Sequence, residues 1–220
     1  MVSLGPGDPN LLSLRGLELL RDADAIAIPT KSADRRFDRS LTHRIVAELM
    51  ERYGFDAPKV PVYAPMKQRT EDWEAQVDTL MEAMQRYGHV VFVTLGDAAI
   101  YSTVYYLLEI IARRDPAVAQ SVEVVPGITS FSQASARIKR PLCVGESALQ
   151  IVPLVAPDAP KTTVYMRPQA EQTTDDLPIH GTMVTFENLN FADETITQGA
   201  IQKVRRYMTL LIDFVAQERR

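Results

Sequence analysis

Cysteine, histidine and long apolar runs are scarce in this sequence of 220 residues. A single cysteine, Cys143, excludes a disulfide bond within the chain and a metal cluster held by thiolates. His43, His89 and His180 lack a spacing typical of metal ligands, so no metal site is expected. No apolar run is long enough to span a membrane, and the first residues lack the pattern of a signal peptide. We therefore expect a cytoplasmic protein without a membrane partner.

An excess of positive charge is also missing. The chain has 24 lysines and arginines against 28 aspartates and glutamates, a formal net charge of −4. No nucleic-acid partner is expected, because such a partner selects a basic face. The hydrophobic content of 46% and the charged content of 24% are typical of a globular protein. A chain of this length can bury the core of one large domain or of two small ones.

Strand-like apolar runs alternate with helical periods along the first half of the chain. Four helices are predicted here. Two of them begin after the capping residues Ser13 and Ser40, and the other two span 73–84 and 101–113. The predicted strands are 25–28, 59–63 and 89–95. Pro61 favours an edge position for the second of these strands, and the apolar third strand is typical of a central parallel one. The alternation predicts an α/β layer with a mostly parallel sheet.

The second half changes from α/β towards antiparallel strands. A strand at 122–125, a Pro-Gly turn and a helix at 128–138 come first. Further strands are predicted at 149–152, 162–166, 182–187 and 208–214, with little helix between them. We therefore predict an N-terminal α/β domain at 1–116 and a shortened C-terminal α/β domain at 117–220, with the boundary at Asp115-Pro116. The C-terminal sheet is expected to be partly antiparallel.

Three glycine-bearing turns, 5–9, 94–102 and 124–132, are the candidates for ligand binding. Ligands of parallel α/β sheets bind beyond the carboxyl ends of the strands, and each turn follows a strand or a place where one fits. The first turn has neither the G-x-G-x-x-G pattern of dinucleotide-binding folds nor a P-loop. Asp97 is placed to accept a hydrogen bond from a ribose hydroxyl, an amine or a backbone N–H. The alternatives are a plain Pro/Gly turn at 5–9 and helix capping by Asp97, Thr129 and Ser130.

Taken in order, the three turns resemble the tetrapyrrole methylase family. Gly5-Pro6-Gly7-Asp8-Pro9, followed by Leu-Leu-Ser, resembles the family's opening G-x-G-x-G-D-P-x-L-L-T segment. Leu95-Gly96-Asp97 with Tyr101-Ser102-Thr103 resembles its Gly-Asp-Pro loop, in the form of the C20 methylases of precorrin-2. Residues 125–131 resemble its P-G-[IV]-[TS]-S segment. The resemblance covers about residues 2–155, and three motifs in order are more specific than any one of them.

The resemblance implies two α/β domains with a cleft between them, usually in a homodimer, and S-adenosylmethionine held in the cleft largely by backbone. By motif position, the residues near the cofactor are Pro6, Gly96, Asp97, Ala98, Ile100, Thr129, Ser130 and Met166. The implied activity is methylation of C20 of precorrin-2 or cobalt-precorrin-2 in cobalamin biosynthesis. The candidates to bind the carboxylates of the tetrapyrrole substrate are Arg35, Arg36, Arg39 and Arg137. Tyr101 is the candidate catalytic residue, with Glu187 or a bound water as alternative acceptors of the proton lost from C20.

Three departures from the family pattern accompany this expectation. Ala98 replaces the proline of the Gly-Asp-Pro loop, and only four residues precede Gly5, which leaves a short first strand. The segment between Met166 and Thr182 is too short for the helix and strand usual there. The alternatives are a methylase of another tetrapyrrole intermediate, a degenerate relative that binds cofactor or tetrapyrrole without turnover, and an α/β enzyme that binds NAD or ATP.

Overall fold

The computed structural model describes residues 1–38, 40–153, 156–166, 171, 173–175, 177–206 and 208–215. Contacts divide the chain into two compact units, Met1–Ser147 and Ala148–Arg220. Each unit is built on one four-stranded sheet. All three glycine-bearing turns belong to the first unit.

Four parallel strands form the sheet of the first unit, in the order β1-β4-β2-β3. The strands are β1 (Val2–Ser3), β2 (Ala25–Thr30), β3 (Lys59–Tyr63) and β4 (Val90–Thr94). The helices are α1 (Leu14–Arg21), α2 (Leu41–Tyr53), α3 (Thr70–Tyr87), α4 (Val104–Arg114), α5 (Pro116–Ser121) and α6 (Ser130–Ile138). The predicted edge position of β3 and the predicted central position of β4 are confirmed.

Helices cover both faces of this sheet. Ile26 and Ile28 of β2 pack in one buried cluster with Leu20 of α1 and Leu49 of α2. Ala27, between them in sequence, faces the other side and packs in a second buried cluster with residues of α3 and α4. Because both faces are covered, β2 is apolar throughout instead of alternating between apolar and polar residues.

The first two helices begin at their predicted caps. Ser13 Oγ accepts a hydrogen bond from Gly16 N–H (3.1 Å) at the start of α1. Ser40 Oγ accepts one from His43 N–H (3.2 Å) at the start of α2. Each hydroxyl satisfies one of the N–H groups that a helix leaves unpaired in its first turn. The two sequence-based cap assignments are therefore confirmed.

The chain after α5 adds to the first sheet beside β1. Val125 forms a parallel bridge with Val2. The carbonyl of Val125 accepts a hydrogen bond from Ser3 N–H (3.1 Å), and its own N–H donates to Met1 O (2.9 Å). The strand predicted at 122–125 is reduced to this single bridge, because only Val125 finds a partner along the two-residue β1.

The division between the units differs from the predicted boundary at residues 116 and 117. Asp115 caps the short helix α5, and its Oδ1 accepts hydrogen bonds from the backbone N–H groups of Ala117 and Val118. Helix α5 packs against α4, so the chain continues the first unit through Asp115-Pro116. The contact-based division lies later, after Ser147.

Four antiparallel strands form the sheet of the second unit, in the order β5-β8-β6-β7. They are β5 (Thr163–Tyr165), β6 (Thr182–Glu187), β7 (Thr195–Gln198) and β8 (Thr209–Phe214). Buried Asp213 fixes the turn before β6, since its carboxylate accepts hydrogen bonds from His180 N–H (2.7 Å) and Gly181 N–H (2.9 Å). The predicted α/β class is confirmed, and the C-terminal sheet, predicted to be partly antiparallel, is antiparallel at all three of its strand pairs.

Some second-half elements differ from the predictions. Residues 149–152 form no strand, and Leu149 and Ile151 stay 45% and 40% exposed because no neighbouring strand pairs with them. The described part of the second unit contains no helix, and β7 was not predicted. Among the residues that the structure covers, no helix combines the length and apolarity needed to cross a membrane.

Candidate functional site

The three glycine-bearing turns meet at one edge of the first sheet. Gly5 N–H donates to Gly96 O (3.1 Å), and Gly96 N–H donates back to Gly5 O (2.7 Å). A Cβ atom added at Gly127 would lie 2.5 Å from Gly96 O and 2.6 Å from Ser3 Cβ. The first and second turns are thus joined by backbone hydrogen bonds. The third turn lies so close to both that residue 127 has no room for a side chain. This edge contains the carboxyl ends of β1 and β4, where ligands of parallel sheets bind.

The first turn is organised by Asp8. Its Oδ1 accepts hydrogen bonds from the backbone N–H (2.9 Å) and side-chain Nδ2 (2.8 Å) of Asn10. These bonds hold the pKa of the Asp8 carboxyl below its ordinary value, chiefly through the Asn10 backbone N–H, with smaller contributions from the charges of Arg137 and Arg52. Arg137 lies in the last turn of α6, and its positive charge favours the ionised form of the Asp8 carboxyl, which lowers the pKa of that group. Pro6, within this turn, is half-buried.

The second turn is organised by Asp97. Its Oδ1 accepts a hydrogen bond from Ala99 N–H (3.0 Å), and its carbonyl accepts one from Ile100 N–H (3.1 Å). The N-cap residue of α4 is Thr103, so Asp97 stabilises its own turn and does not cap the helix. Gly96 has a left-handed backbone (φ 75°), and a Cβ atom added there would enter open space. The backbone of this turn is therefore open to an approaching ligand.

Ala98 and Tyr101 have opposite environments in the second turn. Ala98 is buried, and its N–H donates to Ser3 Oγ (3.0 Å). Tyr101 is 70% exposed with a left-handed backbone (φ 49°). Such a conformation is uncommon for an aromatic residue and indicates that the surrounding turn fixes it. Within the described residues the Tyr101 hydroxyl has no hydrogen-bond partner, which leaves it available to a ligand.

The third turn leads into α6. Thr129 is the N-cap residue, and its Oγ1 accepts a hydrogen bond from Ser132 N–H (3.3 Å). Thr129 therefore caps α6, which is the alternative role given for it in the sequence analysis. Ser130 is the exposed first residue of the helix. The positive end of the α6 dipole lies at this turn and favours electron-rich groups.

The predicted substrate residues differ in their surroundings. Arg36 Nε is paired with Asp34 (2.5 Å) and lies 3.8 Å from Asp38, whereas Arg35 has a left-handed backbone (φ 60°). Both belong to the loop after β2, at the same sheet edge as the three turns, because β2 is parallel to β4. Arg39 lies outside the described residues.

Met166 belongs to the second unit, where it is 71% exposed, so its place beside the three turns stays a prediction. A cavity of about 460 Å³ adjoins the first turn at Gly7 and is lined further by α2, including Arg44. The described residues contain no group of three histidine, cysteine or acidic side chains arranged to hold a metal ion.

Ser3 is the site residue that sequence reasoning missed. It is 1% exposed, and its hydroxyl contacts the second turn while its Cβ lies against the third. The available signal was its position: in the G-x-G-x-G-D-P pattern, with Gly5 and Gly7 as the second and third glycines, Ser3 stands where the first glycine is usual.

Comparison with known proteins identifies the family. The family model described as Tetrapyrrole (Corrin/Porphyrin) Methylases matches residues 1–207. The chain is 31% identical to the cobalt-precorrin-2 C(20)-methyltransferase of Salmonella typhimurium over 159 residues, 72% of this chain and 64% of that one. It is 25% identical to the cobalt-precorrin-4 C(11)-methyltransferase of Priestia megaterium, over 80% of this chain and 57% of that one. Each match spans less than two thirds of the relative's length.

Solved structures agree on the fold. The cobalt precorrin-4 methyltransferase CbiF has a TM-score of 0.50 at 19% identity, covering 96% of this chain and 92% of that one. The cobalamin synthesis related protein CobF of Corynebacterium diphtheriae has a TM-score of 0.54 at 15% identity, covering 96% and 95%. The methyl donor of the family is S-adenosylmethionine, as the sequence analysis expects. With a family model that spans nearly its whole length, the chain belongs to the tetrapyrrole (corrin/porphyrin) methylases.

Proposed function

We propose that the protein is an S-adenosylmethionine-dependent methyltransferase that methylates C20 of precorrin-2 or cobalt-precorrin-2 in cobalamin biosynthesis. The observation that carries the proposal is that the three family motifs meet at the carboxyl edge of the first sheet. Reciprocal hydrogen bonds of Gly5 and Gly96 join the first two turns, and the third turn packs against them at Gly127. The C20 specificity draws its support from the 31% identity to the Salmonella enzyme.

The residues present fit S-adenosylmethionine. At Gly7 (φ 128°) and Gly96 (φ 75°) an added Cβ atom would meet nothing within 4 Å, so both turns present bare backbone to open space. A ligand held largely by backbone needs such a surface. When bound, S-adenosylmethionine supplies an electrophilic methyl group on a sulfonium centre. The residues proposed to hold it are Pro6, Gly96, Asp97, Ala98, Ile100, Thr129, Ser130 and, from the second unit, Met166.

Within this set, Asp97 has the most specific proposed role. One of its carboxylate oxygens accepts from Ala99 N–H, which fixes the side chain and leaves the other oxygen for a ribose hydroxyl. A charged acceptor strengthens such a hydrogen bond. Thr129 and Ser130 would contribute through the start of α6, and Ala98 and Ile100 through their place in the second turn.

The reaction requires correct positioning of the two reactants more than it requires a strong base. The meso carbon C20 of a reduced tetrapyrrole is already nucleophilic, so rate enhancement would come from aligned reactants and a dry site. After methyl transfer, C20 loses a proton, and the proposed acceptor is the exposed Tyr101, either as its phenolate or as a relay that passes its own hydroxyl proton to water. Glu187 stays an alternative acceptor: its Oε2 accepts a hydrogen bond from Thr195 Oγ1 (3.1 Å), which leaves Oε1 for a proton.

Four arginines are proposed to bind the substrate's carboxylates. Arg35 and Arg137 form no ion pair within the described residues, so each can bind a substrate carboxylate directly. Arg36 would have to exchange Asp34 for the substrate, which reduces its net contribution. The proposed role of Arg39 concerns a residue outside the described part. We also propose that the active form is a homodimer, to be measured by sedimentation equilibrium.

A turnover assay tests the proposal. Purified protein is mixed with methyl-labelled S-adenosylmethionine and freshly made precorrin-2, with and without cobalt, and the products are read by mass and by the labelled carbon. One methyl gained at C20 is the expected result, and the Asp97→Ala variant serves as the matched control. Saturable binding of S-adenosylhomocysteine without transfer would instead indicate the degenerate relative. Failure to bind the cofactor product at all would contradict the proposal.

A second candidate is methylation of another ring carbon. The match to the C(11)-methyltransferase covers 80% of this chain, against 72% for the C(20)-methyltransferase. The same assay with precorrin-4 as acceptor distinguishes the two, because only one substrate should gain the label at an appreciable rate.

A further inference from the structure

A hydrogen bond joins Ser3 and Ala98 within the candidate site. Ser3 lies at the end of β1 and is 1% exposed, and Ala98 lies in the turn after β4 and is 3% exposed. The Ala98 N–H donates to Ser3 Oγ at 3.0 Å. A buried N–H without a partner is costly, so this hydroxyl both satisfies the amide and fixes the turn.

Both residues depart from the family pattern, and the two departures fit one another. In the G-x-G-x-G-D-P and Gly-Asp-Pro patterns that this sequence resembles, glycine stands at the position of Ser3 and proline at the position of Ala98. A proline has no N–H and needs no acceptor, whereas an alanine introduces an N–H that must be satisfied. A glycine has no side chain to supply the acceptor, whereas a serine supplies a hydroxyl.

We propose that Ser3 is a positioning residue for the second turn, and that Ser3 and Ala98 act as a coupled pair in place of the glycine and proline of the family pattern. The inference rests on the proposed function, because it assigns the pair to the cofactor site. A proline would restrict the turn covalently, whereas in this chain a side-chain hydrogen bond from β1 restricts it.

The geometry also predicts that replacing only one residue of the pair disturbs the second turn. In Ala98→Pro, the ring Cδ would stand about 1.5 Å from the nitrogen, in the direction of the lost hydrogen. Since Ser3 Oγ is 3.0 Å from that nitrogen, Cδ and Oγ would overlap. In Ser3→Gly, the Ala98 N–H loses its acceptor. Only the double variant Ser3→Gly/Ala98→Pro removes both the hydroxyl and the N–H.

The experiment is a double-variant cycle read by calorimetric titration with S-adenosylhomocysteine. Ser3→Gly and Ala98→Pro alone are each expected to weaken binding about tenfold, as a lost buried hydrogen bond or an overlap implies. The double variant is expected to return to within about threefold of wild type. Losses that simply multiply in the double variant would overturn the coupling. Thr185→Val is the control, since it removes a buried hydroxyl bonded to Gly199 O (2.9 Å) in the second unit.

A second measurement separates this inference from the proposed function. Hydrogen exchange of the Ala98 amide is followed in the ligand-free protein, in wild type and in Ser3→Ala, which keeps Cβ and removes only the hydroxyl. Protection in wild type and at least tenfold faster exchange in the variant are expected. Equal exchange would overturn the positioning role. If wild type shows the protection but does not bind S-adenosylhomocysteine, the proposed function fails while the bond between the two residues stands.

Discussion

Replacing Gly127 with alanine adds one methyl group at the most crowded point between the three turns. The new Cβ atom would lie 2.5 Å from Gly96 O, 2.6 Å from Ser3 Cβ and 3.4 Å from Gly5 N. Two of these three neighbours are backbone atoms of paired turns, so they cannot move aside by a rotamer change. Gly127 does not have a left-handed backbone, and the whole effect of the substitution is therefore steric.

The expected cost is about 3 kcal/mol in the free energy of unfolding, the upper end of the range for overpacking. The movement that relieves the overlap must separate the third turn from the second. S-adenosylhomocysteine should therefore bind at least about tenfold more weakly, a loss near 1.4 kcal/mol. Urea unfolding gives the first quantity and calorimetric titration the second.

Gly54→Ala is the matched control. Gly54 ends α2 with a left-handed backbone (φ 66°), and an added Cβ atom there would meet nothing within 4 Å. Its expected cost is about 1–2 kcal/mol of backbone strain, with unchanged affinity for S-adenosylhomocysteine. The reasoning is refuted if Gly127→Ala binds within twofold of wild type and is no less stable than Gly54→Ala.

Three further substitutions test other parts of the molecule. Asp97→Ala should weaken binding of S-adenosylhomocysteine about tenfold in calorimetric titration, and unchanged affinity would remove the carboxylate from the site. Gly181→Ala places a Cβ atom onto the backbone of β8 and should abolish much of the β signal in circular dichroism, while Gly199→Ala, which adds only the backbone strain of a positive φ (95°) in open space, should keep it. The hydrogen bond from Arg15 lowers the pKa of Glu123, so its stabilisation is present above the ordinary pKa of 4.5 and is lost as pH falls through the lowered value. Glu123→Gln should therefore reduce the drop in the urea midpoint between neutral pH and pH values below 4.5, and an unchanged drop would contradict the assignment.

Helix caps and apolar periodicity made the first unit predictable. Ser13 and Ser40 signalled helix starts that the structure has, because a side-chain cap is a local interaction that the sequence alone specifies. Asp115-Pro116 carried the same kind of signal, an N-cap followed by proline at the first helical position, but was interpreted as a domain boundary. The signal was local, whereas the interpretation required knowledge of what packs nearby.

Strands were less predictable, because a strand exists only when another strand pairs with it. The apolar run 149–152 has a suitable composition, yet it finds no partner in the described structure. Strand β7 was missed because all four of its residues are exposed, so its sequence lacks the alternation that marks a half-buried strand. Its pairing with β6 comes from the antiparallel sheet and not from its own composition.

The candidate site shows the same division between local and distant information. The glycine patterns located three turns in sequence, but their meeting depends on β1 lying beside β4 and on Val125 pairing with Val2. Sequence reasoning treated Ala98 in isolation, as an alanine that replaces the proline of a Gly-Asp-Pro loop. In the fold, the N–H gained by that replacement is bonded to a serine 95 positions earlier in the chain. The consequence of one departure from a family pattern thus depends on a second departure, and only the sheet order brings the two together.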